Sequence, residues 1–329
     1  MTGALDRFFK MSGHNTKISI EILAGMTTFA TMSYIIMLQP LILSGKLFNI
    51  NTGMDFGALF TGACLASALG CFLMGLIANY PVALAPGMGE NFFFTLSVLP
   101  LCASVLGVAQ GDAGAWKLAL GCVFVSGLIF FAVSVFGVRT VIMRSISPSL
   151  KAAISAGIGI FIAFIGLKNS GVIVIADGNI SLVREFGTKP IIIFFIGLFI
   201  MSALHVLKVR GGILWGILAA AAVAALMGLV KPAFPFSAPP DVSPVFAKAD
   251  VSGVIANIGA LLPIILVFAF MDIFDTLGTL IGVGAQAGLM KDGNLPNPEK
   301  AFASDAAATV AGSLFGHSTV TSFIESAAG

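Results

Sequence analysis

The sequence predicts an all-α, polytopic membrane protein, and three observations carry that expectation. Of its 329 residues, 58% are hydrophobic and 10% charged, with a mean hydropathy of +1.04, whereas a soluble globular domain carries about 25% charged residues. Apolar stretches long enough to cross a bilayer recur along the whole chain. Two carboxylates stand inside one of them, in Phe268-Ala269-Phe270-Met271-Asp272-Ile273-Phe274-Asp275-Thr276-Leu277-Gly278-Thr279-Leu280. A carboxylate at mid-bilayer costs about 2.5–3.5 kcal/mol even on lenient insertion scales, so such a residue faces a cavity, a partner or a cargo.

Taken in order, residues 1–17 are mostly polar and basic and read as a cytoplasmic segment. They are not a secretory signal, because the first apolar stretch already has the length of a full span. Apolar runs follow at 18–43, 57–79, 85–107, 115–137, 150–170, 190–207, 211–230, 252–285 and 301–316, and a tenth begins near Thr319. Several exceed the roughly 20 residues a span needs, which predicts tilted or broken helices. The segments 171–189 and 231–250 hold Pro, Asp, Ser and Lys and read as extramembrane loops. Cys64, Cys71, Cys102 and Cys122 lie in or beside apolar runs without metal-ligand spacing and read as small core residues.

Orientation follows from Lys and Arg. With the N-terminus inside, the cytoplasmic segments carry Arg7, Lys10, Lys17, Arg139, Arg144, Lys151, Lys208, Arg210, Lys291 and Lys300. The other side carries Lys46, Lys117, Lys168, Arg184, Lys189, Lys231 and Lys248, spread over longer loops. The bias, concentrated in the short connections 138–149 and 208–210, favours N-inside. A net charge of +2 argues neither for nucleic acid nor for an acidic partner.

Seven spans before the 231–250 loop return the chain to the outside, so a second set starting at 252 runs with opposite polarity. That is the arithmetic of an inverted-repeat transporter, in which broken helices at matching positions mark the binding site. Such a pair is present. The third segment opens Leu84-Ala85-Pro86-Gly87-Met88-Gly89-Glu90-Asn91, and the tenth reads Gly316-His317-Ser318-Thr319-Val320-Thr321-Ser322-Phe323-Ile324-Glu325-Ser326. Both are rich in Gly or small hydroxyl residues and both carry a polar side chain, Asn91 and Glu325, at membrane depth. Non-helical backbone is tolerated there only inside protein or beside a cavity; the alternative is two kinked spans packed through small residues. By this symmetry, roughly 100–150 residues would complete the second set, so the sequence is expected to be part of a longer chain.

The acidic segment has its own logic. Asp272 and Thr276 are four residues apart and Thr279 follows one turn later, which makes one helical face polar. Asp275 lies three residues from Asp272, and two close acids in a low dielectric resist double ionisation, a physical basis for carrying a proton with a cargo. The alternative for Asp275 is a packing residue bonded to a neighbour's backbone. Glu21 reads as interfacial, Asp305 as a cap or packing residue of the ninth run and His205 as packed near a span end. His317 is the candidate pH-sensitive modifier, and His14 lies in the soluble N-terminal segment.

Four segments resemble the AzgA-like purine permeases, a branch of the nucleobase permeases with the uracil-permease fold. They are Gly25-Met26-Thr27-Thr28-Phe29, Ala78-Asn79-Tyr80-Pro81-Val82-Ala83-Leu84-Ala85-Pro86-Gly87-Met88-Gly89, Phe274-Asp275-Thr276-Leu277-Gly278-Thr279-Leu280 and Ser318 through Gly329. The resemblance covers essentially the whole chain. It implies two inverted sets of seven spans, with the third and tenth segments pairing as short strands, and only about the first ten segments present. The implied core domain comprises 18–137 and the incomplete 252–329, the gate domain 138–230, and an extramembrane loop 231–251 joins them.

The resemblance also implies that Asn91, Asp272 and Glu325 meet the substrate and that Asp275 is linked to proton coupling; the residue pattern itself adds Thr276 and Gly89 to the substrate candidates, and Glu325 and His317 to the proton-coupling candidates. Three positions depart from the family pattern: Glu90 replaces an apolar residue, His317 a small or hydroxyl residue, and Gln39-Pro40 an Asn-Pro.

The chemistry suits a purine. Its edges carry N–H donors and ring-nitrogen or carbonyl acceptors, which carboxylates and an amide such as Asn91 can match. Phe92, Phe93 and Phe94 can cover the ring face. The expectation is therefore a proton-coupled importer of adenine, hypoxanthine or guanine working by elevator-like alternating access. It uses no cofactor beyond the proton gradient and lies in a bacterial inner membrane. A same-fold carrier of uracil, xanthine or a small anion is the alternative, although three acids around the cargo would repel an anion. An intramembrane aspartyl protease is disfavoured, because no Gly-x-Gly-Asp pattern is present and both acids share one helix. The sequence does not rank the purines and leaves homodimerisation open.

Overall fold

The computed structural model describes residues 8–9, 16–135, 148–176, 179–207, 209, 212–229, 238–288, 290, 295–296 and 298–328. Arg7, Lys10, His14, Arg139, Arg144, Lys208, Arg210, Lys231, Lys291 and Gly329 lie outside the described residues, as does most of the 138–149 connection. The orientation expectation rests largely on these positions.

The apolar runs become helices. The first run is bent at Ser33-Tyr34 into α1 (Ile18–Met32) and α2 (Ile35–Leu43). Helix α3 (Phe56–Leu73) starts at Asp55, whose carboxylate accepts the Ala58 N–H at 2.7 Å, an N-cap that pairs one of the helix's orphan donors. The third run opens not as a helix but as β1 (Leu84–Pro86). Only then come α4 (Met88–Phe93) and α5 (Leu99–Leu106), joined by a π-turn. Next are α6 (Ala113–Val135), α7 (Pro148–Asn169), α8 (Lys189–Val206) and α9 (Gly212–Leu226). Part of the 171–189 loop is a hairpin, β2 (Ile173–Ala176) with β3 (Asn179–Leu182). The 252–285 run divides at Asn257, whose side-chain amide donates to Gly253 O at 2.9 Å, into α10 (Val251–Ala256) and α11 (Ile258–Gln286). Finally α12 (Pro298–Leu314) leads to β4 (Val320–Ser322) and a 3₁₀ turn, Ile324–Ala328. Among the described residues, six helical stretches are long and apolar enough to cross a membrane.

Helix α12 ends in a Schellman motif. Gly316 has φ +88°, its N–H bonds Ser313 O at 3.3 Å, and the His317 N–H bonds Gly312 O at 2.9 Å. Glycine suits the left-handed position, and the turn sends the chain directly into β4.

Strands β1 and β4 pair antiparallel, with Leu84 opposite Ser322, Ala85 opposite Thr321 and Pro86 opposite Val320. All six residues are buried. Gly87 N–H to Thr319 O (2.9 Å) and Phe323 N–H to Ala83 O (3.0 Å) extend the ladder at both ends. A two-stranded ladder satisfies only the inner edges, so the outer edges need side chains. Cys71 on α3 serves β1: its sulfur accepts the Leu84 N–H at 3.3 Å, and the thiol lies 3.4 Å from Leu84 O. Thr309 on α12 serves β4: its hydroxyl accepts the Val320 N–H at 3.0 Å and lies 3.0 Å from Val320 O. Thus α12 stands to β4 as α3 stands to β1.

The core wraps this ladder. One cluster includes Ile42, Leu59, Phe94, Leu118, Leu261 and Phe268. A second joins Leu84 and Val320 to Met74, Phe130, Leu277 and Phe302. Helix α12 packs chiefly against α6 and α3. The described part of the 231–250 loop is fastened across helix ends by Thr61 Oγ1 to Pro240 O (2.7 Å), Ala247 N–H to Leu314 O (2.7 Å) and Asp250 N–H to Lys117 O (2.9 Å).

The role of Cys71 is testable with isosteres. Cys71→Val strands a buried backbone N–H and should lower stability by about 1–3 kcal/mol, read as a lower unfolding temperature in detergent. Cys71→Thr should keep the wild-type value, since Thr309 does the same work on the other strand. Equal behaviour of the two variants would show that the outer edge of β1 needs no partner.

Candidate functional site

Helices α11 and α12 each carry an Asp four residues before a Thr, Asp272/Thr276 and Asp305/Thr309, and the pairs interlock. Thr309 Oγ1 donates to Asp272 Oδ2 at 2.7 Å, and Thr276 Oγ1 donates to Asp305 Oδ2 at 2.6 Å. Thr321 of β4 closes the group, its hydroxyl 3.0 Å from that of Thr276. The Thr309 hydroxyl has one proton, so when it donates to Asp272 it acts toward Val320 as the acceptor of the N–H. Asp272, Thr276, Asp305, Thr309 and Thr321 are all buried.

Asp272 Oδ1 meets no hydroxyl or N–H among the described residues, and the Asp272 carboxyl lies within hydrogen-bond reach of the Asp305 carboxyl, so the two acids can share a proton. Asp275, half-buried one turn along α11, is bonded by Thr321 and lies in the field of Glu325. Glu325 is half-buried and tied to the first helical run, its Oε1 accepting the Tyr34 hydroxyl at 2.7 Å. Glu90, 1% exposed, lies within electrostatic reach of Asp275 and Asp272, and its Oε1 is unpaired. Among the described residues no basic side chain figures in the surroundings of Glu90, Asp272 or Asp275.

Asn91, next to Glu90, turns into a different network. Its amide and that of Gln39 pair reciprocally: Gln39 Nε2 donates to Asn91 Oδ1 at 2.9 Å, and Asn91 Nδ2 donates to Gln39 Oε1. Ser318 Oγ also donates to Asn91 Oδ1, and Gln39 Nε2 lies 2.9 Å from His317 Nδ1. Since Gln39 Nε2 can only donate, Nδ1 is the acceptor and the proton of a neutral ring sits on Nε2. All four residues are fully buried. Adjacent helical residues point about 100° apart, which lets Glu90 and Asn91 serve separate clusters.

Asp272, Asp275, Thr276 and Glu325 are therefore gathered as the sequence grouped them, while Asn91 and His317 meet each other through Gln39. Gly89 lies in the first turn of α4. Asp305, expected as a cap or packing residue, and Glu90, noted as a departure from the family pattern, both join the acids. The repeated Asp-x-x-x-Thr spacing was the available signal for Asp305. A cavity of about 490 Å³ opens between α1, α3 and Tyr80–Ala83, lined by Glu21, Thr28, Met32, Ser67, Cys71 and Tyr80 among others. It includes none of Glu90, Asp272, Asp275 or Glu325, so it is separate from the acid cluster.

The reciprocal amide pair predicts strong coupling. Gln39→Ala and Asn91→Ala should each destabilise the detergent-solubilised protein by about 1–3 kcal/mol, and the double variant should cost clearly less than their sum. Additive losses on thermal unfolding would contradict the pairing.

The site can be set beside known proteins. Residues 19–329 match the Permease family (Xan_ur_permease). The guanine/hypoxanthine permease PbuG of Bacillus subtilis is 40% identical over 98% of this chain and 72% of its own length. The adenine permease AdeQ of Escherichia coli is 36% identical over 100% of this chain and 70% of its own. Among solved structures, the transmembrane domain of a cyanobacterial bicarbonate transporter, BicA, superposes with a TM-score of 0.59 at 11% identity, over 92% of this chain and 74% of that one. At that identity the likeness concerns the fold alone. With this match and these identities, the chain belongs to the Permease family, as a multi-pass membrane protein whose relatives are transporters and not enzymes.

Proposed function

We propose that this protein imports a purine nucleobase together with protons. The observation that carries the reading is its 40% and 36% identity to a guanine/hypoxanthine permease and an adenine permease over nearly the whole chain. The site supports it. Asp272 presents a buried carboxylate oxygen that no hydroxyl or N–H of the described residues reaches, an acceptor for a purine N–H, and Glu325 offers a second carboxylate from the segment after β4. Asn91 keeps one amide N–H beyond its bond to Gln39, and Gly89 lets the cargo approach α4 closely. Thr276, whose hydroxyl is engaged by Asp305, lines the same face. An anion would meet repulsion from these acids, whereas a neutral purine meets acceptors.

Asp275 is the proposed proton carrier, with Glu325 beside it and His317, in the amide network of Gln39 and Asn91, as a modifier. A proton taken up there offsets charge that would otherwise cross a low-dielectric barrier with the cargo. The matching relation of α3 to β1 and of α12 to β4 supports an inverted repeat, with a core of 18–137 and 252–329 moving in elevator fashion against a gate of 138–230. The reading places the protein in a bacterial inner membrane with a cytoplasmic N-terminus and residues 231–251 outside.

Uptake of labelled adenine, guanine and hypoxanthine by purine-transport-deficient cells expressing the protein tests this. Saturable uptake of at least one base, abolished by a protonophore, is expected. Asp272→Asn should reduce uptake efficiency by about tenfold to a hundredfold, the scale of one hydrogen bond to a charged group. Asp275→Asn should keep base exchange and lose accumulation. Absence of uptake of all three bases by protein present in the membrane would refute the assignment.

A further inference from the structure

We propose that Glu90 is a cargo-contacting carboxyl that selects purines bearing an exocyclic amino group. The inference rests on the purine reading above and goes beyond it by naming a residue and a preference.

Glu90 sits in α4, immediately after β1, and is almost wholly buried. Its Oε2 lies over Gly87, where any Cβ would collide with it. Its Oε1 has no hydrogen-bond partner. The charged groups it faces are Asp275 and Asp272 on α11, and no basic side chain stands among them. A buried carboxylate oxygen without a protein donor is rare in folded proteins because each is costly.

Other acceptors nearby are in use. Asp272 Oδ2 takes the Thr309 hydroxyl, Asp305 Oδ2 that of Thr276, and Glu325 Oε1 that of Tyr34. Glu90 Oε1 on the half-helix has no such donor, and Asp272 Oδ1 on α11 meets only the Asp305 carboxyl. A ligand that satisfies Glu90 Oε1 must offer it an N–H donor. Purines do so, and an added amino group supplies two further N–H bonds. While Glu90 is ionised, with the proton of the acid cluster held elsewhere, a carbonyl oxygen in the same place would meet the lone pairs of a carboxylate and be repelled. The reciprocal amide pair of Asn91 and Gln39 fixes the rotation of α4 and keeps Glu90 turned toward α11.

Two pairs of bases isolate the amino group: guanine against hypoxanthine, and adenine against unsubstituted purine. Each would compete with uptake of the labelled base in cells expressing wild type, Glu90→Gln or Glu90→Leu. In wild type the amino member of at least one pair should compete about tenfold better, the scale of a single hydrogen bond to a charged group. In both variants that ratio should fall to about one. If a variant does not transport, the same ratios are read by equilibrium binding to purified protein, with Glu90→Asp as the conservative control that retains part of the preference.

Ratios identical in wild type and variants overturn the proposal, as does a wild type without amino preference. A Glu90→Gln protein altered only in its protonophore response, with ratios unchanged, would also overturn it and assign Glu90 to the proton. Wild-type protein that takes up no purine would instead defeat the parent reading, so the two failures are distinguishable.

Discussion

Unpaired peptide groups at membrane depth are the constraint on which the rest of this structure depends. Two segments of the chain leave the helical state inside the apolar body, and neither can look to water for its hydrogen bonds. They pair with each other as β1 and β4, and Cys71 and Thr309 close the two outer edges. Half of the polar side chains of the site lie within a few residues of this ladder: Glu90 and Asn91 just after β1, His317 and Ser318 just before β4, Thr321 within it and Glu325 just beyond. The ladder is therefore the frame of the site.

Frame and site share atoms. Thr309 accepts the Val320 N–H and donates to Asp272, so one hydroxyl serves both the strand edge and a site carboxylate. Thr276 joins Asp305 to Thr321 in the same manner. A shift of β4 against α11 and α12 would disturb these bonds together, which ties the geometry of the acids to that of the strands. The amide network on the other side of α4 has the opposite character. Its four members bond one another through Gln39 and Asn91, leaving His317 Nε2 without a side-chain partner, which suits a support, whereas the acid cluster keeps carboxylate oxygens for a ligand.

Much of this architecture is legible in the sequence because it follows from local rules. Apolar runs of span length became helices, and Pro86-Gly87 together with Gly316 marked where helix gives way to extended backbone. Asp272 and Asp275 announced themselves by their cost in an apolar run. What stayed hidden depends on which distant residues meet. Asp305 looked like a packing residue because its partner Thr276 lies on another helix, and Cys71 looked like filler because the Leu84 backbone it serves is not adjacent in helical register. Gln39 and His317 stood out singly as departures from a family pattern, yet nothing local says that they bond each other. Glu90 was visible as an oddity, but its lack of a partner is a property of packing alone. The break at Asn257 was missed because hydropathy continues across it.

Equilibrium binding of adenine, guanine and hypoxanthine to the purified protein, compared with its Asp272→Asn variant, tests the central claim most directly, since it isolates the site from transport. The account predicts saturable binding of at least one base that is lost or weakened by about tenfold or more in the variant. Binding of no purine by folded wild-type protein, or equal affinity in the two proteins, would contradict it.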